Sequence, residues 1–387
     1  MNTRVSSPPL TTPKSAALKS NLPALTGLRA VAALAVVATH AGFWTNKYGT
    51  STSGLFWARL DFGVALFFAL SGFLLFRPWV TALVEGRRMP RTGRYFWNRA
   101  LRILPAYWVT VIVCFLALDS RTGTGPVGLL RHLSLTQIYG SNNLHIGLTQ
   151  SWSLCTEISF YLALPLIGVF VTKVVCRGGW HPNRLVAVLL ALCVANIGWL
   201  WYVNLHLEIS LSSRLWLPAH ISWFAVGMIL AVLVADAGIN EGIGRKFARY
   251  IEQSPGALWV GALACMALTC TPLAGEASLS PDTAATAITR HVLYAMAAFL
   301  IMATLVLGRA NWTQRALGAK PVVWLGNISY ELFLVHLILL EAAMNILGYH
   351  VFSGSVFYAF AVTLALSVPA SWLLYRVLDA PLRRLHR

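Results

Sequence analysis

Residues 22–44 read LPALTGLRAVAALAVVATHAGFW, an apolar run whose ionisable side chains are Arg29 and His40. About 20 apolar residues, each rising roughly 1.5 Å, match a hydrocarbon core of about 30 Å. An ionisable side chain inside such a helix costs at least about 2.5 kcal/mol, so each needs a partner or a task. The run follows a Ser-, Thr- and Pro-rich stretch, Met1 to Lys19, that carries Arg4, Lys14 and Lys19. That composition predicts a disordered cytoplasmic tail over residues 1–20. Basic residues before an apolar run resemble a signal peptide, but this run is long enough to be kept as a first spanning helix.

The same pattern recurs along the chain. Of its 387 residues 57% are hydrophobic and only 11% charged, against about 25% charged in soluble domains. The mean hydropathy is +0.65. Ten spanning segments are predicted: 22–44, 60–80, 101–118, 150–172, 184–203, 216–235, 256–272, 287–308, 323–347 and 354–376. The fold class is therefore all-α, a polytopic membrane bundle of about ten helices. A membrane domain covers 21–381 and a basic cytoplasmic tail 382–387. The stretch from Asp119 to Thr149 is the longest outer connection, and Gly123, Gly125 and Pro126 predict that part of it is re-entrant or lies on the surface.

The net charge of +17 reads as membrane topology, with no nucleic-acid partner, because Lys and Arg collect in cytoplasmic loops. With both termini inside, the second-to-third connection and the helix start after it carry Arg87, Arg88, Arg91, Arg94, Arg99 and Arg102. Later inward segments hold Lys173, Arg177 and Arg184, then Arg245, Lys246 and Arg249, then Arg309, Arg315 and Lys320. Outward loops hold fewer. The six cysteines have no metal-ligand spacing, so neither a metal site nor a disulfide framework is expected.

Beyond Arg29 and His40, ionisable residues fall inside apolar segments at Glu157, within WSLCTEISFYLALP, and at His336, within GNISYELFLVH. His40 stands about 16 Å further out than Arg29 along one helix. This depth reckoning groups His40, Glu157 and His336 in the outer half and Arg29, Arg99 and Arg102 on the inner side. Each has a plainer reading. A membrane histidine can be an interhelical hydrogen-bond partner, and Arg99 and Arg102 can be snorkelling anchors. Taken together they suit acyl transfer to an alcohol. Histidine removes the hydroxyl proton, a carboxylate such as Glu157 orients the imidazole, and arginines bind the phosphates of coenzyme A.

At these residues the chain resembles the acyltransferase type 3 family of bacterial membrane O-acyltransferases, from about Leu25 to Pro381. Arg29 and His40 form an Arg-x10-His motif. Phe67 to Leu75, FFALSGFLL, resembles a Ser-Gly-Phe segment. Arg99-Ala-Leu-Arg102 matches an Arg-x-x-Arg motif, and the segments around Glu157 and His336 and the terminal Asp379-Ala-Pro381 follow in order. The resemblance implies a ten-helix acyltransferase domain in the bacterial inner (cell) membrane. It implies acetyl-CoA or acyl-CoA as co-substrate, with no permanently bound cofactor. His40 is then the catalytic histidine, assisted by Glu157, with Arg29, Arg99 and Arg102 on the donor. Ser71, Tyr330, His336 and Asp61 are assigned to the substrate side. Acceptors would be hydroxyls of envelope glycolipids, such as a trehalose glycolipid, of other carbohydrates, or of macrolides. Three positions depart from the pattern. Ala65 stands where an acidic residue is common, with Asp61 nearby as a replacement. Cys155-Thr156 replaces Ser-Val, and Asp379 replaces Glu. No SGNH hydrolase-like domain is expected after the tenth helix. The competing class is a proton-coupled transporter or lipid flippase, against which stands the lack of an internal repeat.

Overall fold

A computed structural model describes residues 22–49, 52–206, 211–239, 241–254, 256–277, 282–308 and 311–382. The predicted N-terminal tail, residues 383–387 and Arg309 lie outside them. No strand occurs among the described residues. Ten helices follow the predicted segments: α1 Pro23–Trp44, α2 Phe62–Val84, α3 Thr92–Ala117, α4 Trp152–Phe170, α5 Pro182–Leu205, α6 Leu217–Ala237, α7 Ala257–Thr269, α8 Ala284–Val306, α9 Ser329–Ile346 and α10 Val356–Leu374.

Nine of these, with their flanking turns, are long and apolar enough to cross a membrane, and α7 is not. Its 13 residues span about 20 Å. Pro272 follows it, and a proline there cannot continue the helix. Its path still traverses the bundle. Ile251 lies against Gly308, just past the end of α8, and Gly275 lies against Thr286, near its start. The described residues 251–254 and 256–275 thus run alongside α8 from one end to the other.

At the centre, α6 is the most buried spanning helix and α5 the least. The backbones of α2 and α6 touch at two glycines. A Cβ at Gly72 would stand 2.1 Å from Phe224 O, and one at Gly227 would stand 1.9 Å from Ala69 O. Small residues allow this because lipid offers no hydrophobic drive for helices to associate, so close packing has to supply it. Beside this crossing the rings of Phe68 and Phe224 stack at 4.4 Å and those of Phe160 and Phe224 at 4.1 Å, joining α2, α4 and α6.

The long connection between α3 and α4 folds onto the bundle. A short helix, Gly125–Leu133, carries buried His132, whose Nε2 accepts the backbone N–H of His145. A 3-10 turn, Ile146–Ser151, then descends into the protein. Gln150 is buried there and donates to the carbonyls of Leu334 (3.0 Å) and Phe333 (3.5 Å) on α9. Irregular backbone at this depth is tolerable because protein encloses it. As a result α4 begins well inside the bundle.

Gly72→Leu forces the α2–α6 backbones apart, and overpacking of this kind costs about 1–3 kcal/mol or more. The expected result is a lower melting temperature in detergent by fluorescence size exclusion. Gly198→Ala on α5, where nothing lies within 4 Å of the added Cβ, should leave it unchanged. Equal melting of the two variants would contradict the packing described.

Candidate active site

Five helices converge on a cavity of about 120 Å³. Arg29 enters from α1, Ser71 from α2, Arg99 and Arg102 from α3, Glu157 and Tyr161 from α4, and Tyr330 and Phe333 from α9. The sequence-based start of the third helix was 101, but α3 begins at Thr92. Arg99 and Arg102 are therefore one turn apart on a single helical face.

The polar atoms divide into committed and available groups. Glu157 Oε1 accepts the hydroxyl of Ser71 and that of Tyr161, the latter at 2.7 Å. The Tyr330 hydroxyl donates to Ile103 O at 2.8 Å. Arg102 forms an ion pair with buried Asp379 and lies over the Tyr330 ring at 5.8 Å. Asp379 ends a π-helical turn, Tyr375–Asp379, that continues α10. Buried Glu331 also acts electrostatically on Arg102. Among the described residues the guanidinium groups of Arg29 and Arg99 make no ion pair and no hydrogen bond. They are the donors left free to meet an anionic ligand.

His40 and His336 stand together, away from the lining. His40 Nδ1 lies 2.8 Å from Val36 O, and His336 Nδ1 lies 2.8 Å from Phe333 O. A carbonyl only accepts, so both Nδ1 atoms carry the proton. His336 Nε2 lies 3.2 Å from His40 Nδ1 and is then its second acceptor. This leaves His40 Nε2 with an open lone pair. His336 is wholly buried, and His40 keeps some exposure. The Phe333 ring lies 6.0 Å from His336 and 6.3 Å from Phe67, with which it lines the cavity.

The structure thus brings together Arg29, Ser71, Arg99, Arg102, Glu157 and Tyr330, and separately His40 with His336. Two expectations need correction. Glu157 does not orient His40, because its carboxylate is held by Ser71 and Tyr161 at the level of Arg29. The depth estimate failed because Ile146–Ser151 carries the start of α4 inward before Glu157 is reached. Asp61 does not line the cavity either. It accepts the Tyr294 hydroxyl on α8, beside Arg59 and the Arg290–Asp282 pair. The sequence reading did not assign Tyr161, Phe333 or Glu331, although the last two stand within the quoted GNISYELFLVH. A second histidine pair, His220 Nδ1 and His291 Nε2 at 3.4 Å, packs against Trp152 and Trp223.

A family model described as an acyltransferase domain matches residues 22–376. Acyltransferase MdmB of Streptomyces mycarofaciens is 28% identical over 402 residues, covering 94% of this chain and 92% of that one. Nodulation protein 10 of Rhizobium leguminosarum bv. viciae is 29% identical over 189 residues, 40% of this chain and 48% of its own length. O-acetyltransferase OatA of Staphylococcus aureus is 22% identical over 380 residues, which is 94% of this chain but 57% of that protein. The chain therefore spans about half the length of two of these relatives and nearly all of the third. No solved structure gives a significant match. With a match across nearly the whole helical bundle, the chain belongs to the acyltransferase 3 family, multi-pass membrane enzymes that transfer acyl groups other than aminoacyl groups.

Proposed function

We propose that the protein is an O-acyltransferase of the bacterial inner membrane. It moves a short acyl group, acetyl foremost, from acyl-CoA to a hydroxyl of a cell-envelope glycolipid or other carbohydrate. The observation that carries this reading is the pair of free guanidinium groups, Arg29 and Arg99, in a cavity whose Phe333 wall packs against His336, the partner of a His40 whose Nε2 lone pair is open. The name of the O-acetyltransferase relative supports oxygen as the acceptor atom and acetyl as the group.

In this reading the Arg-rich end of the bundle faces the cytoplasm, where acyl-CoA is available. The thioester enters past Arg99 and Arg102 and stops beside Phe67 and Phe333. The acceptor approaches from the histidine side. His40 Nε2 takes the proton of the acceptor hydroxyl, and the oxygen attacks the thioester carbon. Negative charge gathers on the carbonyl oxygen, where Arg29 and Arg99 can donate. Collapse breaks the C–S bond, and the His40 imidazolium returns its proton to the departing thiolate. His336 is a positioning residue, since its Nε2 helps fix the His40 tautomer. Glu157 supplies a counter-charge that keeps two unpaired arginines tolerable at this depth.

Thiol release from acetyl-CoA by the purified protein in nanodiscs, with a lipid extract as acceptor, tests the reading. His40→Ala should lower the rate by about 10²–10⁴-fold while leaving size-exclusion behaviour intact. His336→Phe keeps a ring against Phe333 but removes the acceptor, and should cost roughly tenfold, about the worth of one hydrogen bond. Thiol release from folded wild-type protein that is insensitive to His40→Ala would remove it as the base. No release with any acyl-CoA would favour a transporter. Arg29→Ala should lower kcat by about 10²-fold, as expected for an oxyanion donor. A change confined to KM would assign Arg29 to ground-state donor binding instead.

A further inference from the structure

The face of α2 that lines the central cavity does not end there. Phe67, Ser71 and Leu74 border the first cavity, and Leu74, Pro78, Thr81 and Ala82 border a second one of about 590 Å³. These positions recur every three to four residues, so one stripe of a single helix lines both spaces. Leu74 belongs to both walls, which makes the two spaces adjoin. From Ser71 to Thr81 the helix rises about 15 Å, a distance that an extended pantetheine arm covers.

The second cavity is lined by three guanidinium-bearing residues, Arg77, Arg87 and Arg88. Their placement is set by the end of α2. Gly86 has φ +62°, and Arg87 N–H donates to Ala82 O at 2.9 Å, a reversal that turns the chain back beside the helix. Arg87 is paired with Glu85. Arg77 lies over the Phe73 ring at 5.5 Å, and neither Arg77 nor Arg88 pairs with a carboxylate among the described residues. Two guanidinium groups without a carboxylate partner among the described residues, lining a space that adjoins the cavity of Arg29 and Arg99, fit a ligand with phosphate at one end and a thioester at the other.

We propose that this second cavity holds the 3′-phosphoadenosine diphosphate end of acyl-CoA, with Arg77 and Arg88 as its phosphate ligands. The inference rests on the acyl-CoA reading above and adds a location and residues for the part of the donor remote from the reaction. It separates two tasks among the arginines. Arg77 and Arg88 hold phosphate, while Arg29 and Arg99 face the thioester. Binding at the remote end keeps the donor in register without touching the reacting atoms.

Equilibrium binding of radiolabelled acetyl-CoA to the protein in nanodiscs needs no acceptor and tests this directly. Wild type should bind the label, and 3′-phosphoadenosine 5′-phosphate should displace it. The double variant Arg77→Ala/Arg88→Ala should weaken acetyl-CoA binding by about tenfold or more, the scale of lost charge-assisted contacts. Competition by 3′-phosphoadenosine 5′-phosphate should weaken in step, and the affinity for acetyl-pantetheine should stay as in wild type. Unchanged acetyl-CoA affinity in a folded double variant would overturn the assignment, as would equal losses for acetyl-CoA and acetyl-pantetheine. Loss of co-purifying phospholipid with acetyl-CoA binding intact would give the arginines to lipid phosphate and equally overturn it. Absence of acetyl-CoA binding by wild type would instead overturn the acyl-CoA reading on which the proposal stands.

Discussion

A guanidinium group held inside a bilayer must be compensated, and this requirement organises the centre of the protein. Arg102 is neutralised by Asp379 at the end of α10, with Glu331 adding to the local negative field. Among the described residues Arg29 and Arg99 have no such partner in contact, and they share their surroundings with Glu157. That carboxylate is held in place by Ser71 and Tyr161. The arrangement ties α1, α2, α3, α4 and the end of α10 to one point. It is affordable because the helices behind it pack closely, at Gly72 and Gly227 and through the Phe68–Phe224–Phe160 stack.

The histidine pair answers a different constraint. An imidazole inside a helical bundle is held by the partners its nitrogens find, and a neutral ring with one nitrogen unpartnered keeps an available lone pair. Val36 and Phe333 carbonyls each fix an Nδ1 proton, His336 Nε2 accepts from His40, and among the described residues His40 Nε2 has no partner. Phe333 packs against His336 and, with Phe67, lines the arginine cavity. In the proposed reaction, donor and acceptor approach from the two sides of these rings.

Much of this was legible in the sequence because lipid imposes simple rules. Apolar runs fixed nine helices, and the ionisable residues within them pointed to Arg29, His40, Glu157 and His336. What escaped depended on contacts between distant residues. His40 meets His336 and Arg102 meets Asp379 across most of the chain, and no local spacing encodes either pairing. Glu157 was placed at the wrong depth because a count from the apparent helix start cannot see Ile146–Ser151 descending beside α9. Asp61 looked close to the site along α2, but Tyr294 on α8 claims it. Segment 256–272 read as one full helix because composition alone does not register how early Thr271 and Pro272 end it.

The central claim is that the acyl carbon and the His40 base meet at the Phe67–Phe333 boundary. A cryo-EM structure with a non-cleavable thioether analogue of acetyl-CoA tests it most directly. The account predicts the sulfur beside Phe333, the acyl oxygen facing Arg29 and Arg99, and the acyl carbon close enough to His40 Nε2 for one hydroxyl to bridge them, about 3–6 Å away. A thioether bound outside the arginine cavity, or an acyl group pointing away from His40 with Phe333 unmoved, would contradict it.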